Sequence, residues 1–112
     1  MATKQTTAEF FADQMSGAGD VSIRKMFGEY AVYFDGKVVA LICDEKLFVK
    51  PTVAGKAFLG NTEEAPPYPG AKMYFLIDAD KCEDRAFLSE LIQRTATELP
   101  TPKKRLKVRK KP

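Results

Sequence analysis

Cysteines, carboxylates and a lysine-rich run are the residues whose types and spacing could carry chemistry, because the sequence contains no histidine and no tryptophan. Without histidine, Ser–His and Cys–His nucleophilic arrangements are excluded, as are His-containing zinc sites. The two thiols, Cys43 and Cys82, lie far apart and cannot alone fill a four-ligand metal site. Cys43 falls in an apolar strand and reads as a small hydrophobe, and both thiols are expected to be reduced. Cys82 sits ahead of a helix, which would lower its pKa, but Asp80, Glu83 and Asp84 oppose that shift. The carboxylate pairs Asp44/Glu45, Glu63/Glu64 and Glu83/Asp84 fall at turn, loop and helix-start positions, where structure alone explains them. Gly17-Ala18-Gly19 precedes a strand rather than a helix N-terminus, so it is not a phosphate cradle. Any enzymatic activity would have to come from lysine, tyrosine or carboxylates in a pocket. The expectation is a non-enzymatic chain with no catalytic residue, cofactor or metal.

The third group is basic. Lys103, Lys104, Arg105, Lys107, Arg109, Lys110 and Lys111 place seven positive charges in residues 103–112, with no acid among them. Setting these seven aside from the chain's 18 basic residues leaves eleven against 15 acidic ones, a net charge of −4. Such a run repels itself and builds no core, so residues 100–112 read as a basic, disordered tail. Pro100 and Pro102 mark its start. The tail reads as a solubilising terminus or as an arm contacting DNA or RNA phosphates. With only Leu106 and Val108 as apolar side chains, it is a poor membrane anchor.

The elements that must position these groups lie in residues 1–99. A hydrophobic share of 45% and a charged share of 29% exclude disorder of the whole chain. No apolar run is long enough for a membrane span, and residues 1–12 lack the apolar stretch of a secretory signal, so the chain reads as cytoplasmic. Thr6-Thr7-Ala8-Glu9 fits a capping box with Thr6 as N-cap, followed by Phe11 and Met15 on one helical face and ended by Gly17 and Gly19. Asp35-Gly36 predicts a two-residue type I′ turn joining strands 29–34 and 37–43. A second tight turn at Asp44-Glu45 leads into strand 46–50, and Ser22–Met26 adds an edge strand. Gly28 marks a bulge or bend.

Tyr30, Val32 and Phe34 alternate with Ala31 and Tyr33, and Val38, Ala40 and Ile42 with Val39, Leu41 and Cys43, which makes both faces of the meander apolar. Helices must cover one face, and another helix or a partner subunit the second. Thr52 caps a short helix stopped by Gly60-Asn61, residues 65–70 run extended, and residues 72–77 form a further strand. Phe87, Leu88, Leu91, Ile92, Ala96 and Leu99 form the apolar stripe of a last helix capped by Asp80 or Asp84. The expected fold is α+β, an antiparallel β-meander packed by N- and C-terminal helices. Phe27, Tyr30, Tyr33, Phe34, Tyr74 and Phe75 read as core rather than as a base-stacking platform.

Arg24-Lys25-Met26-Phe27-Gly28-Glu29-Tyr30 resembles the R-x-M-F-G-x-Y/F signature of the TfoX/Sxy N-terminal domain family. The hairpin Tyr33–Lys37 with Gly36, the strand Leu47–Lys50 and Met73-Tyr74-Phe75 continue the resemblance over about residues 8–99. It implies a secretion-chaperone-like α+β sandwich, often dimeric, without known catalytic residues. The full-length regulators it is similar to promote natural competence as co-activators beside the cyclic-AMP receptor protein, and carry a second, helical domain. The proline stretch 65–70 is similar to a stand-alone branch of the family. Among the signature residues Arg24, Met26, Phe27, Gly28, Tyr30 and Gly36, Met26 and Phe27 are expected to anchor the start of the meander under the helices. The function expected is a regulatory interaction module acting by protein contacts, as a homodimer or with a transcription regulator. The alternative is a nucleic-acid-binding accessory protein using its tail.

Overall fold

A computed structural model describes residues 3–100. The basic run 103–112 lies outside the described residues. The order of elements is α1 (Gln5–Met15), β1 (Val21–Met26), β2 (Glu29–Phe34), β3 (Lys37–Cys43), β4 (Lys46–Val49), α2 (Val53–Leu59), β5 (Glu63–Ala65), β6 (Tyr74–Leu76), α3 (Ala79–Cys82) and α4 (Arg85–Glu98). The strands form one antiparallel sheet in the order β1-β2-β3-β4-β6-β5. The fold is α+β, with the meander packed by N- and C-terminal helices as expected.

The core lies between one sheet face and the helices. Ala8, Phe11 and Met15 of α1 and Leu88, Leu91, Ile92 and Ala96 of α4 close on Tyr30, Val32, Ile42, Leu47, Val49 and Phe75. Each fully buried leucine here contributes roughly 1.5–3 kcal/mol of transfer free energy. The expected alternation in β3 fails at one point. The register slips between Val32 and Tyr33, so Val39 has no partner in β2 and joins Ala40 in the core instead of opposing it. A bulge of this kind puts two successive residues on one side of a strand.

The expected capping box at Thr6 does not form. The helix begins earlier, with Lys4 as N-cap, and its capping carboxylate is Glu45 from the β3–β4 turn. Glu45 accepts the Lys4 N–H through Oε2 at 2.7 Å and the Thr7 hydroxyl through Oε1 at 2.6 Å. Glu98 near the end of α4 does the same for α2, accepting the Val53 and Ala54 N–H groups at 2.9 and 2.8 Å. Thr52 and Asp84 cap as expected, accepting from the N–H groups of Gly55 and Phe87.

The second sheet face is organised differently from the expected cover by another helix. Ala31, Cys43 and Phe48 are buried yet stand outside the main core cluster. Among the described residues no helix lies on this face. The chain's own proline segment folds against it, with Pro67 buried and Pro66–Pro69 sharing a hollow with Leu41 and Cys43. The segment is not extended throughout. The Ala71 N–H bonds to the Tyr68 carbonyl at 3.1 Å, and Gly70 has φ +87°, a turn with proline and glycine at its centre. β5 and α3, both absent from the sequence reading, frame this segment and the approach to α4.

The two borrowed caps make stability pH-dependent. Hydrogen bonds from Thr7 and Lys4 lower the pKa of Glu45, and those from Ala54 and Val53 lower that of Glu98, from an ordinary value of 4.5. A carboxyl whose pKa is lower when folded stabilises the fold above its unfolded value and loses that contribution as pH falls. The denaturant midpoint should therefore hold from neutrality to about pH 5 and decline below it, with a shallower decline in the Glu45→Gln/Glu98→Gln double variant. Equal slopes for parent and double variant would remove these two carboxylates from the account.

Candidate functional site

Met26-Phe27-Gly28-Glu29 is the β1–β2 connection. Met26 and Glu29 pair across it, and Phe27 and Gly28 have φ of +50° and +83°. Gly28 is therefore the second residue of a two-residue turn, not a bulge within a strand. Two successive left-handed residues are what a type I′ turn requires, and glycine supplies the second freely. Phenylalanine does not suit the first. A bulky side chain in this region costs roughly 1–2 kcal/mol.

That cost is not offset by burial. Phe27 is 100% exposed and Met26 38% exposed, so the expected anchoring of both residues beneath the helices is overturned. The reason is parity. Tyr30 faces the helices, Lys25 pairs with it, and Met26 must then take the opposite face. The turn carries Phe27 past the end of the sheet. Reading all six aromatics as core is corrected at the same residue, although Tyr30 and Phe75 are indeed buried.

The turn is held firmly. The Thr3 N–H bonds to the Gly28 carbonyl at 3.0 Å, and the Thr3 hydroxyl donates to Glu29 Oε1 at 2.7 Å. The same Glu29 oxygen accepts the Asp44 N–H at 3.1 Å, and Thr3 Oγ1 accepts the Glu45 N–H at 3.2 Å. The start of the chain thus ties the Phe27 turn to the neighbouring Asp44-Glu45 turn.

Beside Phe27 lies a hollow of about 830 Å³ on the second face, walled by Met26, Leu41 and the Pro66–Pro69 segment, with Cys43 among its lining residues. Its rim includes Glu29, Asp44 and the half-exposed Tyr68. Burial, then the charges of Glu29 and Asp44, push the Cys43 thiol up to about 11. Cys82 is likewise raised to about 11 by burial and by Asp78 and Glu83. Both thiols are neutral near pH 7, which makes them poor nucleophiles. The hollow has an apolar wall and an acidic rim.

The other signature residues separate by role. Arg24 lies on the second face with its guanidinium 5.4 Å from the Tyr33 ring centroid, and Tyr30 is in the core. Gly36, at φ +76°, completes the expected turn with Asp35. The carboxylate pairs are engaged structurally through Glu45, through the Lys56–Glu64 ion pair at 3.8 Å and through the Asp84 cap. Among the described residues no three acidic, histidine or cysteine side chains gather to hold a metal. The basic candidates Lys103, Lys104, Arg105, Lys107, Arg109, Lys110 and Lys111 lie outside the described residues. One signal pointed to the Phe27 turn. Two alternating strands flanked an X-Gly pair, the arrangement that identified Asp35-Gly36.

Substitutions at the turn separate its two residues. Gly28→Ala should lower stability by about 1 kcal/mol or more, because alanine resists the positive φ. Phe27→Asn should leave stability unchanged or raise it by up to about 1 kcal/mol, because asparagine tolerates this region and no buried surface is lost. Guanidinium midpoints measure both, and a large loss in Phe27→Asn would mean that the ring supports the fold.

The TfoX N-terminal domain family model matches residues 13–99, which run from within α1 to the residue after α4. A protein of Spirochaeta aurantia, known as "Uncharacterized 12.7 kDa protein in trpE 5'region", is 45% identical over 105 residues. The match covers 94% of this chain and 90% of the relative. With the signature turn, the meander and α4 within the matched span, the chain belongs to the TfoX N-terminal domain family.

Proposed function

We propose that this competence-regulator-like domain is a non-enzymatic regulatory module that acts in the cytoplasm through protein contacts made at the Phe27 turn. The observation that carries the reading is the turn itself. A fully exposed phenylalanine stands in a strained conformation beside an apolar hollow, fixed by hydrogen bonds from Thr3. Folding gains nothing from such a side chain, whereas a protein partner gains a rigid aromatic anchor. Family membership and the two neutral, buried thiols support a regulatory rather than a chemical role. Among the described residues no helix is long and apolar enough to cross a membrane.

In a transformable host lacking the gene, the parent chain should restore transformation frequency and Phe27→Asn should not, at equal protein levels. Full complementation by Phe27→Asn would overturn the role of the turn. An unchanged transformation frequency and transcript profile on deletion would overturn the regulatory reading.

A second reading rests on the seven positive charges of residues 103–112. Phosphate contacts of this kind position a protein without reading sequence. If all seven engage duplex DNA, log affinity against log salt should slope at about −6, a loss of about three to four decades between ~50 and ~200 mM salt. A truncation ending at Leu99 should lose this binding. A flat salt response, or equal binding by the truncation, would eliminate the arm.

A further inference from the structure

β1 forms one edge of the sheet, paired with β2 on one side and with no strand on the other among the described residues. Its six residues are mostly exposed. A two-residue turn closes on a hydrogen-bonded pair, here Met26 and Glu29, and hydrogen-bonded and non-bonded pairs then alternate along the strands. Ser22 and Arg24 therefore direct their backbone N–H and C=O groups at β2, and Val21, Ile23 and Lys25 direct theirs outward. Phe27 stands at one end of this edge. At the other end lies a hollow of about 670 Å³ lined by Gly19, Asp20, Ile23, Tyr33, Phe34 and Gly36.

We infer that this edge pairs antiparallel with the same edge of a second copy about a two-fold axis at Ile23, so that Phe27 of each copy enters the Gly19–Phe34 hollow of the other. The inference rests on the reading of the Phe27 turn as a protein contact, and it names the partner. The register follows from the strand. Outward-facing residues must meet outward-facing residues, which leaves few symmetric alignments. An axis at Lys25 sets Lys25 against itself, and an axis at Arg24 sets Arg24 against itself, both unfavourable. An axis at Ser22 pairs only the first three strand residues of each copy.

An axis at Ile23 pairs Val21 with Lys25 and Ser22 with Arg24, and uses every outward backbone group of β1. It also sets Arg24 diagonally across from Asp20 of the second copy, an attractive pair. The same alignment brings Phe27 level with Gly19 of the second copy. Gly19 has φ +141°, and a Cβ there would lie 2.9 Å from Phe34 Cε1, so the position opposite Phe27 carries no side chain. The knob and the hollow thus occur at opposite ends of one strand, the spacing a self-complementary interface needs.

Light scattering of the full chain at about 100 µM should give twice 12.5 kDa. Phe27→Asn should weaken the dimer at least about tenfold, as loss of an aromatic anchor seated in a pocket does. Lys25→Pro should give a monomer with unchanged circular dichroism, because the N–H it removes points away from β2. An oxidised mixture of Ser22→Cys and Arg24→Cys chains should cross-link far more than either alone, since these positions face each other only in this register. A 12.5 kDa particle for the parent overturns the inference and identifies Arg24 and Lys25 as edge guards. So does a dimer that persists in both Phe27→Asn and Lys25→Pro, or cross-linking indifferent to the mixture. Either result leaves the complementation outcome intact, so failure of the dimer and failure of the regulatory reading are distinguishable.

Discussion

Three two-residue turns, with every central residue in the left-handed region, govern this structure. Phe27-Gly28, Asp35-Gly36 and Asp44-Glu45 have φ between +50° and +83°. Their backbone twist matches that of the strands, so they lock the register of β1 to β4. Register in turn decides the face of every side chain, because a slip of one residue exchanges the two faces of a strand. Four of the six positions are not glycine, and each left-handed L-residue costs roughly 1–2 kcal/mol. Aspartate tolerates the conformation, and Glu45 has its N–H bonded to Thr3 and its carboxylate bonded to α1. Phe27 alone has a large apolar side chain there and no polar group with which to bond locally.

Legibility in the sequence followed the range of the interactions. Asp35-Gly36, the Thr52 and Asp84 caps and the stripe of α4 were readable because each is decided by residues a few positions apart. The cap of α1 was not, since the carboxylate that supplies it lies 41 residues from Lys4 and displaces the local Thr6–Glu9 arrangement. The bulge at Val39 depends on the mismatch between two strands and leaves no mark in either alone. β5, with two glutamates in three residues, has no apolar alternation and is a strand because β6 pairs with it. The exposure of Phe27 is not legible locally, because phenylalanine usually marks core. The signature carries the family, and the position of its most exposed residue became visible only when both neighbouring strands were paired.

The second face shows how a small chain covers a doubly apolar sheet without another helix. Proline suits the task, since a segment with few backbone donors can lie against apolar side chains without leaving buried N–H groups unpaired. Pro67 is the buried residue, and the turn at Tyr68–Ala71 returns the chain to β6. Tyr74, raised by burial and by the proximity of Tyr68 and Cys43, marks where this cover meets the sheet. The same cover forms one wall of the hollow beside Phe27. Shielding of the core and construction of the candidate site are therefore one feature of the fold.

The two edges of the sheet are protected unequally. β5 is three residues long, carries Glu63 and Glu64, and runs directly into Pro66-Pro67, which together leave little edge to pair. β1 is twice as long, has no proline, and ends in an exposed aromatic. Its Arg24 and Lys25 project to opposite faces, so neither blocks the backbone groups between them. Among the described residues the sheet is protected by its sequence at one edge and has no such protection at the other. The strained, fully exposed Phe27 stands at that open edge, where the local folding cost and the opportunity for contact coincide.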